Sequence, residues 1–221
     1  MHAAGVIDNL VVRQTTRDEP GPGQVELEVV AASLNFRDVM KVLGLYPADS
    51  EDSTMLGDEC TGRIVAVGQG VEGYKIGDAV MAVAPGSFGS YVTTSVALVV
   101  PKPEHLTFEE AATIPIAFLT AYYALHQLGR ISEGERVLVH AAAGGVGLAA
   151  LQIARAAGAK IFATAGSREK REVLRYLGVE HIMDSRSLSF ADQIRDATGG
   201  EGVDLVLNSL AGKAIAKGIS A

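Results

Sequence analysis

The sequence predicts an α/β protein with a β-rich first half and a doubly wound parallel sheet in the second half. Up to about residue 105, short β-branched runs are separated by Gly, Pro and Asp. After residue 108, continuous apolar runs alternate with Ala- and Leu-rich segments of helical periodicity. We therefore expect a first domain at 1–107 and a second domain at 108–221.

In the first half, residue patterns of period two predict short strands. Val25, Leu27 and Val29 alternate with Glu26 and Glu28, as in a half-buried strand. Further strands are predicted at 63–67, 79–83 and 91–94. Strands of this length and spacing indicate a small barrel or sandwich.

One segment of the first half is helical instead. Phe36, Val39, Met40 and Leu43 recur at spacings of three and four, and Gly44 can end the helix. The acidic stretch 47–54 that follows is rich in turn-forming residues, and we expect a mobile surface loop there.

The second half alternates helices and strands. A helix is predicted at 108–128, with Thr107 as its N-cap and a break at Pro115. Strands are then expected at 136–140, 161–164, 181–183 and 203–207, and helices at 146–157, 168–177 and 190–197. This alternation implies right-handed crossovers and a doubly wound sheet.

Composition excludes several classes of function. The 221 residues are 48% hydrophobic and 20% charged, a globular balance, and the 19 Lys and Arg against 26 Asp and Glu give a net charge of −7. Without a basic block, a nucleic-acid partner is not expected. No apolar run reaches the ~20 residues of a membrane span, and residues 1–20 have no signal-peptide pattern, so we expect a cytoplasmic protein. Cys60 is the lone cysteine, which excludes an internal disulfide and a multi-cysteine metal site.

The turn between the first parallel strand and its helix carries the clearest motif. Ala142-x-Gly144-x-x-Gly147 matches the dinucleotide-binding pattern G-x-G-x-x-G, with Ala in the first place. Such a turn brings the backbone and the helix N-terminus close to a pyrophosphate. The alternative is a Gly-rich turn needed only for packing. The candidate cofactor-binding residues are Ala143, Gly144, Gly145, Val146 and Gly147.

The end of the second parallel strand predicts which cofactor is bound. A protein that selects NAD usually places Asp or Glu there, and none occurs between Gly147 and Arg168. Ser167, Arg168 and Lys170 instead offer a hydrogen bond and positive charge to a 2′-phosphate, and Arg186 follows the third strand. We therefore expect NADPH. The alternative for Arg168 and Lys170 is a solvated helix surface.

Several motifs, taken in order, resemble one family. They are Asn-Phe-Arg-Asp-Val at 35–39, Leu-Gly-Leu-Tyr-Pro at 43–47, Gly-Asp-Glu-Cys-Thr-Gly at 57–62, Thr-Ile-Pro at 113–115, Thr-Ala-Tyr-Tyr-Ala-Leu at 120–125, His-Ala-Ala-Ala-Gly-Gly-Val-Gly at 140–147 and Asp-Leu-Val-Leu-Asn-Ser-Leu at 204–210. The sequence is similar to the enoyl reductase domains of modular polyketide synthases and animal-type fatty acid synthases. These domains are zinc-free members of the medium-chain dehydrogenase/reductase superfamily.

The resemblance implies a GroES-like substrate-binding domain followed by a Rossmann-type NADPH-binding domain. It also implies NADPH-dependent reduction of the α,β double bond of an enoyl thioester bound to an acyl carrier protein, with neighbouring synthase domains as further partners. A stand-alone NADPH:quinone oxidoreductase and a non-catalytic NADPH-binding module remain alternatives.

The resemblance also implies roles for individual residues. Tyr46 corresponds to a tyrosine associated with the stereochemistry of α-carbon protonation, and Lys170 to a lysine considered as a proton source, besides its phosphate-binding alternative. Asn35 is expected at the nicotinamide ribose and Thr120 on the nicotinamide side of the cofactor. The alternatives are a turn residue for Tyr46, a loop-capping amide for Asn35 and a backbone-bonded helix hydroxyl for Thr120. His140 is expected to cap or pack.

Two further expectations concern zinc and the extent of the second domain. Zinc-dependent relatives have Cys near the position of Asn35 and His at that of Asp58, so no metal is expected here. The chain ends shortly after the predicted fourth parallel strand, whereas a complete doubly wound domain has two βαβαβ halves. We therefore expect an incomplete second domain with an exposed edge at that strand.

Overall fold

The computed structural model of the protein describes residues 5–17, 19–46 and 55–221, so the expected loop at 47–54 lies outside the described residues. The chain divides into two compact units, Met1–Ile116 and Ala117–Ala221. The sequence places the boundary after residue 107 instead. The difference is residues 108–116, which contain helix α2 (Phe108–Ala112) and the first two residues of the next helix. Helix α2 packs on the strands Gln24–Ala32 and Glu59–Val67 of the first unit.

The first unit is built on an antiparallel sheet with strand order β4-β1-β2-β3-β5. Its strands are β1 (Gln24–Ala32), β2 (Glu59–Val67), β3 (Ala79–Val83), β4 (Tyr91–Ser95) and β5 (Val99–Pro101). Short 3-10 helices lie at Ile7–Asn9 and Val96–Leu98, and helix α1 spans Phe36–Val42. The core consists of Val25, Leu27, Ile64, Val80 and their neighbours.

Burial along β1 follows the predicted alternation only in part. Val25 and Leu27 are buried as predicted, but Glu26 between them is also buried. The Arg17 guanidinium makes two hydrogen bonds to the Glu26 carboxylate, at 2.8 and 2.7 Å. This charge-assisted pair lowers the pKa of Glu26 and allows a carboxylate at a position of little solvent access.

The second unit contains a four-stranded parallel sheet with order β8-β7-β6-β9. The strands are β6 (Arg136–Val139), β7 (Lys160–Ala165), β8 (His181–Asp184) and β9 (Leu205–Leu207). The helices are α3 (Pro115–Tyr122), which continues as a π-helical segment at Tyr123–Leu128, α4 (Gly145–Ala156), α5 (Arg168–Tyr176), α6 (Phe190–Ala197) and α7 (Lys213–Ile219). These elements confirm the predicted α/β fold, with β9 at one edge of the described sheet.

Side chains from alternate positions of β6 fill two cores. Val137 and Val139 face α4 and α5, and Leu138 packs with Phe190 and Ile194 of α6. Helices therefore cover both faces of the sheet, which is why its strands read as continuous apolar runs. Among the described residues, no helix combines the length and apolar character that crossing a membrane requires.

Both predicted signals of the 108–128 helix are present. Thr107 Oγ1 accepts the backbone N–H of Glu110 at 3.1 Å, and the Glu110 carboxylate accepts the N–H of Thr107 at 2.8 Å. This reciprocal capping box starts α2. Pro115 then begins α3, because its ring suits the first helical position but cannot continue the preceding helix.

Candidate functional site

The loop after β6 makes a tight turn into α4. Ala141 has a φ of 48°, which is uncommon for a residue with a side chain, and Gly144 N donates to Ala141 O at 2.8 Å. Gly144 is the N-cap of α4, and Gly145 is the first helical residue. The predicted motif is therefore a strand-to-helix turn.

The glycines of this turn have different surroundings. A Cβ on Gly147 would lie 2.5 Å from Ala141 O and 2.6 Å from Ala142 Cα, so glycine is needed there for α4 to pack against the strand end. A Cβ on Gly144 would lie 3.2 Å from Ala141 O. A Cβ on Gly145 would meet no atom of the described residues within 4 Å. Packing explains Gly147 but not Gly145, whose open side leaves room for a ligand to approach the helix N-terminus.

The N-terminus of α4 is uncapped by any side chain. The first intrahelical bond runs from Leu148 N to Gly144 O at 2.8 Å. The N–H groups of Gly145, Val146 and Gly147 make no hydrogen bond to another residue in the part of the chain that the structure describes. Free N–H groups and the positive end of the helix dipole suit a diphosphate, so the residues present fit a dinucleotide. Ala143 is half-buried beside them.

Cationic side chains surround the end of β7. Ser167 is the N-cap of α5 and accepts the N–H of Lys170 at 3.3 Å. Arg168 and Lys170 are exposed, and the ion pair of Arg168 within the described part of the chain is a long one, to Glu172 at 3.8 Å. Arg186 leans over the strand end, since a Cβ on Gly166 would lie 3.3 Å from Arg186 Nε. Three predicted residues therefore lie around one strand end, with Lys170 on the adjoining helical turn.

Three residues around this strand end have roles that the sequence analysis does not predict. Arg171 donates to Ala165 O at 2.9 Å and lies 3.2 Å from Asp184 of β8, whose other oxygen accepts the N–H of Arg186 at 2.8 Å. These contacts tie the ends of two strands together below Arg186. The pKa of Glu169 is lowered by hydrogen bonds to its own backbone N–H and to Ser167, with Arg171 and Arg186 nearby.

In the first unit, Asn35 begins α1 and belongs to a buried polar network. Its N–H donates to Asp38 Oδ2 at 2.9 Å, and its Nδ2 donates to Glu59 Oε1 at 2.8 Å. The other oxygen of Glu59 accepts the N–H of Ile116 at 2.7 Å. Burial raises the pKa of Glu59, although both hydrogen bonds oppose this shift. Asn35 is therefore the N-cap residue of α1, and its amide is fixed by Glu59.

An ion-pair cluster around the buried Asp58 lies beside this network. Asp58 accepts hydrogen bonds from both Arg37 and Lys41, and its side chain is 2% exposed. Burial alone would raise the pKa of Asp58, but the two cations outweigh burial and lower it. The motifs at 35–39 and 57–62 contain Arg37 and Asp58, but their partnership is not visible in a local pattern because 21 residues separate them.

Tyr46 and Thr120 occupy different units. The half-buried Tyr46 ring has its centroid 5.9 Å from Arg37 Cζ and 5.9 Å from Lys41 Nζ. Thr120 is exposed on α3, and its hydroxyl makes no hydrogen bond to any residue that the structure describes. The roles expected for these two residues remain predictions.

His140 and Cys60 are both buried. His140 Nδ1 lies 2.8 Å from Thr164 Oγ1, and the ring meets Phe190 edge-on at 5.0 Å. Burial lowers the pKa of His140 and raises the pKa of Cys60 to about 12. Across residues 5–17, 19–46 and 55–221, no group of three His, Cys, Asp or Glu side chains is arranged to hold a metal ion.

Comparison with known proteins extends this picture. Residues 21–104 match the family model described as the alcohol dehydrogenase GroES-like domain, and residues 145–221 match the model described as zinc-binding dehydrogenase. The crystal structure of CurK enoyl reductase is 50% identical, with a TM-score of 0.93 over 98% of this chain and 68% of that one. The chain belongs to the polyketide enoyl reductase family.

Other relatives agree with this assignment. A phenolphthiocerol/phthiocerol polyketide synthase of Mycobacterium tuberculosis is 51% identical over 97% of this chain, and the alignment covers 10% of the synthase. The chain thus spans about a tenth of the length of such curated relatives. A mycobacterial protein solved in complex with NADPH is 30% identical, with a TM-score of 0.84 over 93% of this chain and 64% of that one. The enoyl reductase chain has a fold of the kind that binds nicotinamide cofactors.

Proposed function

We propose that this chain catalyses NADPH-dependent reduction of the α,β double bond of an enoyl thioester in polyketide biosynthesis. The observation that carries the proposal is the uncapped N-terminus of α4, where Gly145 leaves space that no protein atom fills. CurK, half of whose aligned residues are identical to those of this chain, is an enoyl reductase. The cofactor, when bound, supplies the hydride, and the chain supplies alignment and charge.

NADPH is favoured over NADH by the charges around the end of β7. A 2′-phosphate placed there would meet the Ser167 hydroxyl and the Arg168, Lys170 and Arg186 side chains, which project from neighbouring positions. Charge-assisted hydrogen bonds to phosphate are stronger than neutral ones. The NADH ribose hydroxyl carries no charge that would match these cations.

We assign Tyr46 rather than Lys170 to the protonation of the α-carbon. Lys170 lies one helical turn from Ser167, at the strand end where the 2′-phosphate is expected, and this placement supports a phosphate-binding role. Tyr46 lies in the first unit, and its ring is 5.9 Å from Cζ of Arg37, a residue of α1, the helix that Asn35 caps. Asn35 is proposed to contact the nicotinamide ribose and Thr120 the nicotinamide, as the family resemblance implies.

We also propose that the reaction needs no zinc. Asp58 stands where zinc-dependent relatives have a ligand, and its carboxylate is occupied by Arg37 and Lys41. Two cations so close would repel a divalent metal ion. The substrate is proposed to be carried on an acyl carrier protein, because the M. tuberculosis relative is a polyketide synthase far longer than this chain.

The experiment follows NADPH oxidation by the purified protein that carries this chain, with crotonyl pantetheine thioester as substrate. Arg168→Ala combined with Lys170→Ala is expected to raise the KM for NADPH by about tenfold or more, since a hydrogen bond to a charged group contributes roughly 1.5–3 kcal/mol. The KM for NADH should stay within about twofold. Turnover of quinones without turnover of enoyl thioesters would overturn the proposed function.

The matched control is Arg175→Ala, which is compared with the single variant Arg168→Ala because each removes one positive charge from α5. Arg175 lies on the same helix, α5, but in its last turn, where it pairs with Glu172 at 2.9 Å. Its removal takes one positive charge from α5 without touching the strand end. An equal loss of NADPH affinity in this control would show that net charge, and not a specific phosphate site, is responsible.

A further inference from the structure

An ion-pair network around the buried Asp58 carboxylate lies beside the Tyr46 ring. Asp58 is at its centre and accepts Arg37 Nε at 2.7 Å, together with Arg37 Nη2. Lys41 Nζ lies 3.4 Å from the same carboxylate. Arg37 and Lys41 are four residues apart on α1, so their side chains leave the same face of the helix.

The Lys41 side chain is buried, and its ammonium group is hydrogen-bonded. Its side chain has no solvent exposure, and Nζ also donates to Met55 O at 2.8 Å. A buried ammonium with two fixed acceptors has little freedom to change rotamer, because any other position would leave its charge unpaired. The cation therefore occupies a defined place beneath Tyr46.

Asp58 is itself held in a rigid setting. Gly57 precedes it with a φ of 84°, and a Cβ there would lie 2.5 Å from Phe88 N. The N–H of Gly57 donates to Asp38 Oδ1 of α1 at 2.8 Å. The backbone leading into β2 is thus fixed to the same helix that carries both cations.

Both the backbone and the ring of Tyr46 interact with residues of α1. Its backbone N–H donates to Met40 O of α1 at 3.2 Å. Its ring centroid lies 5.9 Å from Arg37 Cζ and 5.9 Å from Lys41 Nζ, within the range of cation–π attraction. Asp58 is the main cause of the raised pKa of Arg37, and Tyr46 adds a smaller contribution of the same sign.

We propose that Arg37 and Lys41, anchored by Asp58, are positioning residues that orient the Tyr46 ring and thereby set the face from which the substrate α-carbon is protonated. This inference rests on the proposed function, because it takes Tyr46 to act at the α-carbon. A ring attracted by two fixed cations presents its hydroxyl in one direction.

The step that depends on this orientation is a proton transfer. Hydride addition to the β-carbon leaves an enolate on the thioester. The electron pair of the enolate forms the new C–H bond at the α-carbon with the proton of the Tyr46 hydroxyl, and the phenolate regains a proton from water. With a methyl group on the α-carbon, the face of protonation determines the configuration of the product.

The test uses a 2-methyl-enoyl pantetheine thioester and the purified protein that carries this chain, with the ratio of the two product configurations as the readout. Arg37→Gln is expected to lower this ratio about fivefold, equivalent to roughly 1 kcal/mol of orientation energy. Arg37→Lys should restore part of the ratio, since it keeps the charge but not the two-point contact with Asp58. In a Tyr46→Phe protein, Arg37→Gln should change the ratio no further.

Arg63→Gln provides the matched control. Arg63 is an exposed arginine of the same unit whose Cζ lies 5.4 Å from the Phe108 ring centroid. It has the same kind of cation–ring contact but lies outside the network of Asp58, and the product ratio of this variant should equal that of the unmodified protein.

A crystal structure of the Arg37→Gln protein gives a readout that does not depend on activity. The Tyr46 ring should leave its place above Lys41 or occupy more than one rotamer. An unchanged ring, an unchanged product ratio, or additive effects of Arg37→Gln and Tyr46→Phe would each overturn the inference. If the unmodified protein reduces no enoyl thioester, the proposed function fails, and the crystal structure still decides whether Arg37 positions Tyr46.

Discussion

Gly145 and Gly147 lie in one helical turn but have opposite surroundings. Alanine at 147 would place a Cβ 2.5 Å from Ala141 O, whereas alanine at 145 would meet no protein atom. We expect Gly147→Ala to lower the free energy of unfolding by about 1–3 kcal/mol through overpacking. Gly145→Ala should leave stability unchanged or raise it by up to ~1 kcal/mol, because alanine favours the helix.

At residue 145, the effect of a substitution on NADPH binding should be separable from its effect on stability. The Gly145→Ala methyl group would fill the space left for the diphosphate, so NADPH binding should weaken at least tenfold while the fold persists. Urea unfolding and fluorescence titration with NADPH measure the two effects. If Gly145→Ala binds NADPH normally, the open space at residue 145 is not a ligand contact.

At the scale of elements, the attachment of α1 to the start of β2 should give the protein an acid-sensitive stability. The pKa of Asp58 is lowered in the folded state, so its contribution is fully present above its ordinary value of 3.8 and is lost as the pH falls through the folded value. Asp58→Asn should lower the free energy of unfolding by about 3 kcal/mol at pH 7, since two cations lose their partner. This difference from the unmodified protein should shrink below pH 3.8.

Urea unfolding at pH 7 and at acidic pH measures this effect. Glu59, whose pKa is raised mainly by burial, is present in both proteins and contributes in the opposite sense. Because the Asp58 charge adds to this shift, Asp58→Asn also removes a small part of it. Asp78→Asn is a suitable control, because the Asp78 side chain accepts the N–H of Lys75 at 2.9 Å in a turn and forms no ion pair with any residue that the structure describes. A pH-independent difference for Asp58→Asn would show that the ion pair does not control the acid sensitivity.

The elements also show which features a local sequence pattern can predict. The apolar runs of β6 and β7, the N-cap at Thr107 and the glycine turn before α4 are local, and the structure has them close to the predicted bounds. Strand β9 starts at Leu205 rather than at Val203, since Asp204 accepts the N–H of Arg136 through its side chain.

Long-range pairing is what local patterns cannot predict. The burial of Glu26 depends on Arg17, and that of Asp58 on Arg37 and Lys41, which are distant in sequence. From an alternating pattern alone, a charged residue is predicted to be exposed, because the distant residue that pairs with it is not part of the pattern. The lack of Asp and Glu between Gly147 and Arg168 is a local feature of the sequence, and it indicates the candidate phosphate-binding residues at the end of β7. The ion pair between Arg171 and Asp184 depends on β7 and β8 being neighbours in the sheet, so no local pattern predicts it.

At the scale of the whole molecule, the proposed setting within a synthase predicts weak affinity for free substrate. The chain spans a tenth of the M. tuberculosis synthase that it resembles. If the carrier protein is joined to the reductase in one chain, the tether gives the substrate an effective concentration in the millimolar range, and tight binding would add nothing to the rate. We therefore expect the rate with free crotonyl pantetheine thioester to rise linearly up to about 1 mM.

Steady-state rates at fixed, saturating NADPH measure this dependence on thioester concentration. The rate should saturate with NADPH at a far lower concentration, because the cofactor is not tethered and must bind from solution. A fusion of the protein to a carrier protein loaded with the same enoyl group should react in single-turnover experiments at a rate independent of protein concentration. Saturation by the free thioester at micromolar concentration would contradict the argument, because it would mean that the chain recognises the acyl group tightly without help from a tether.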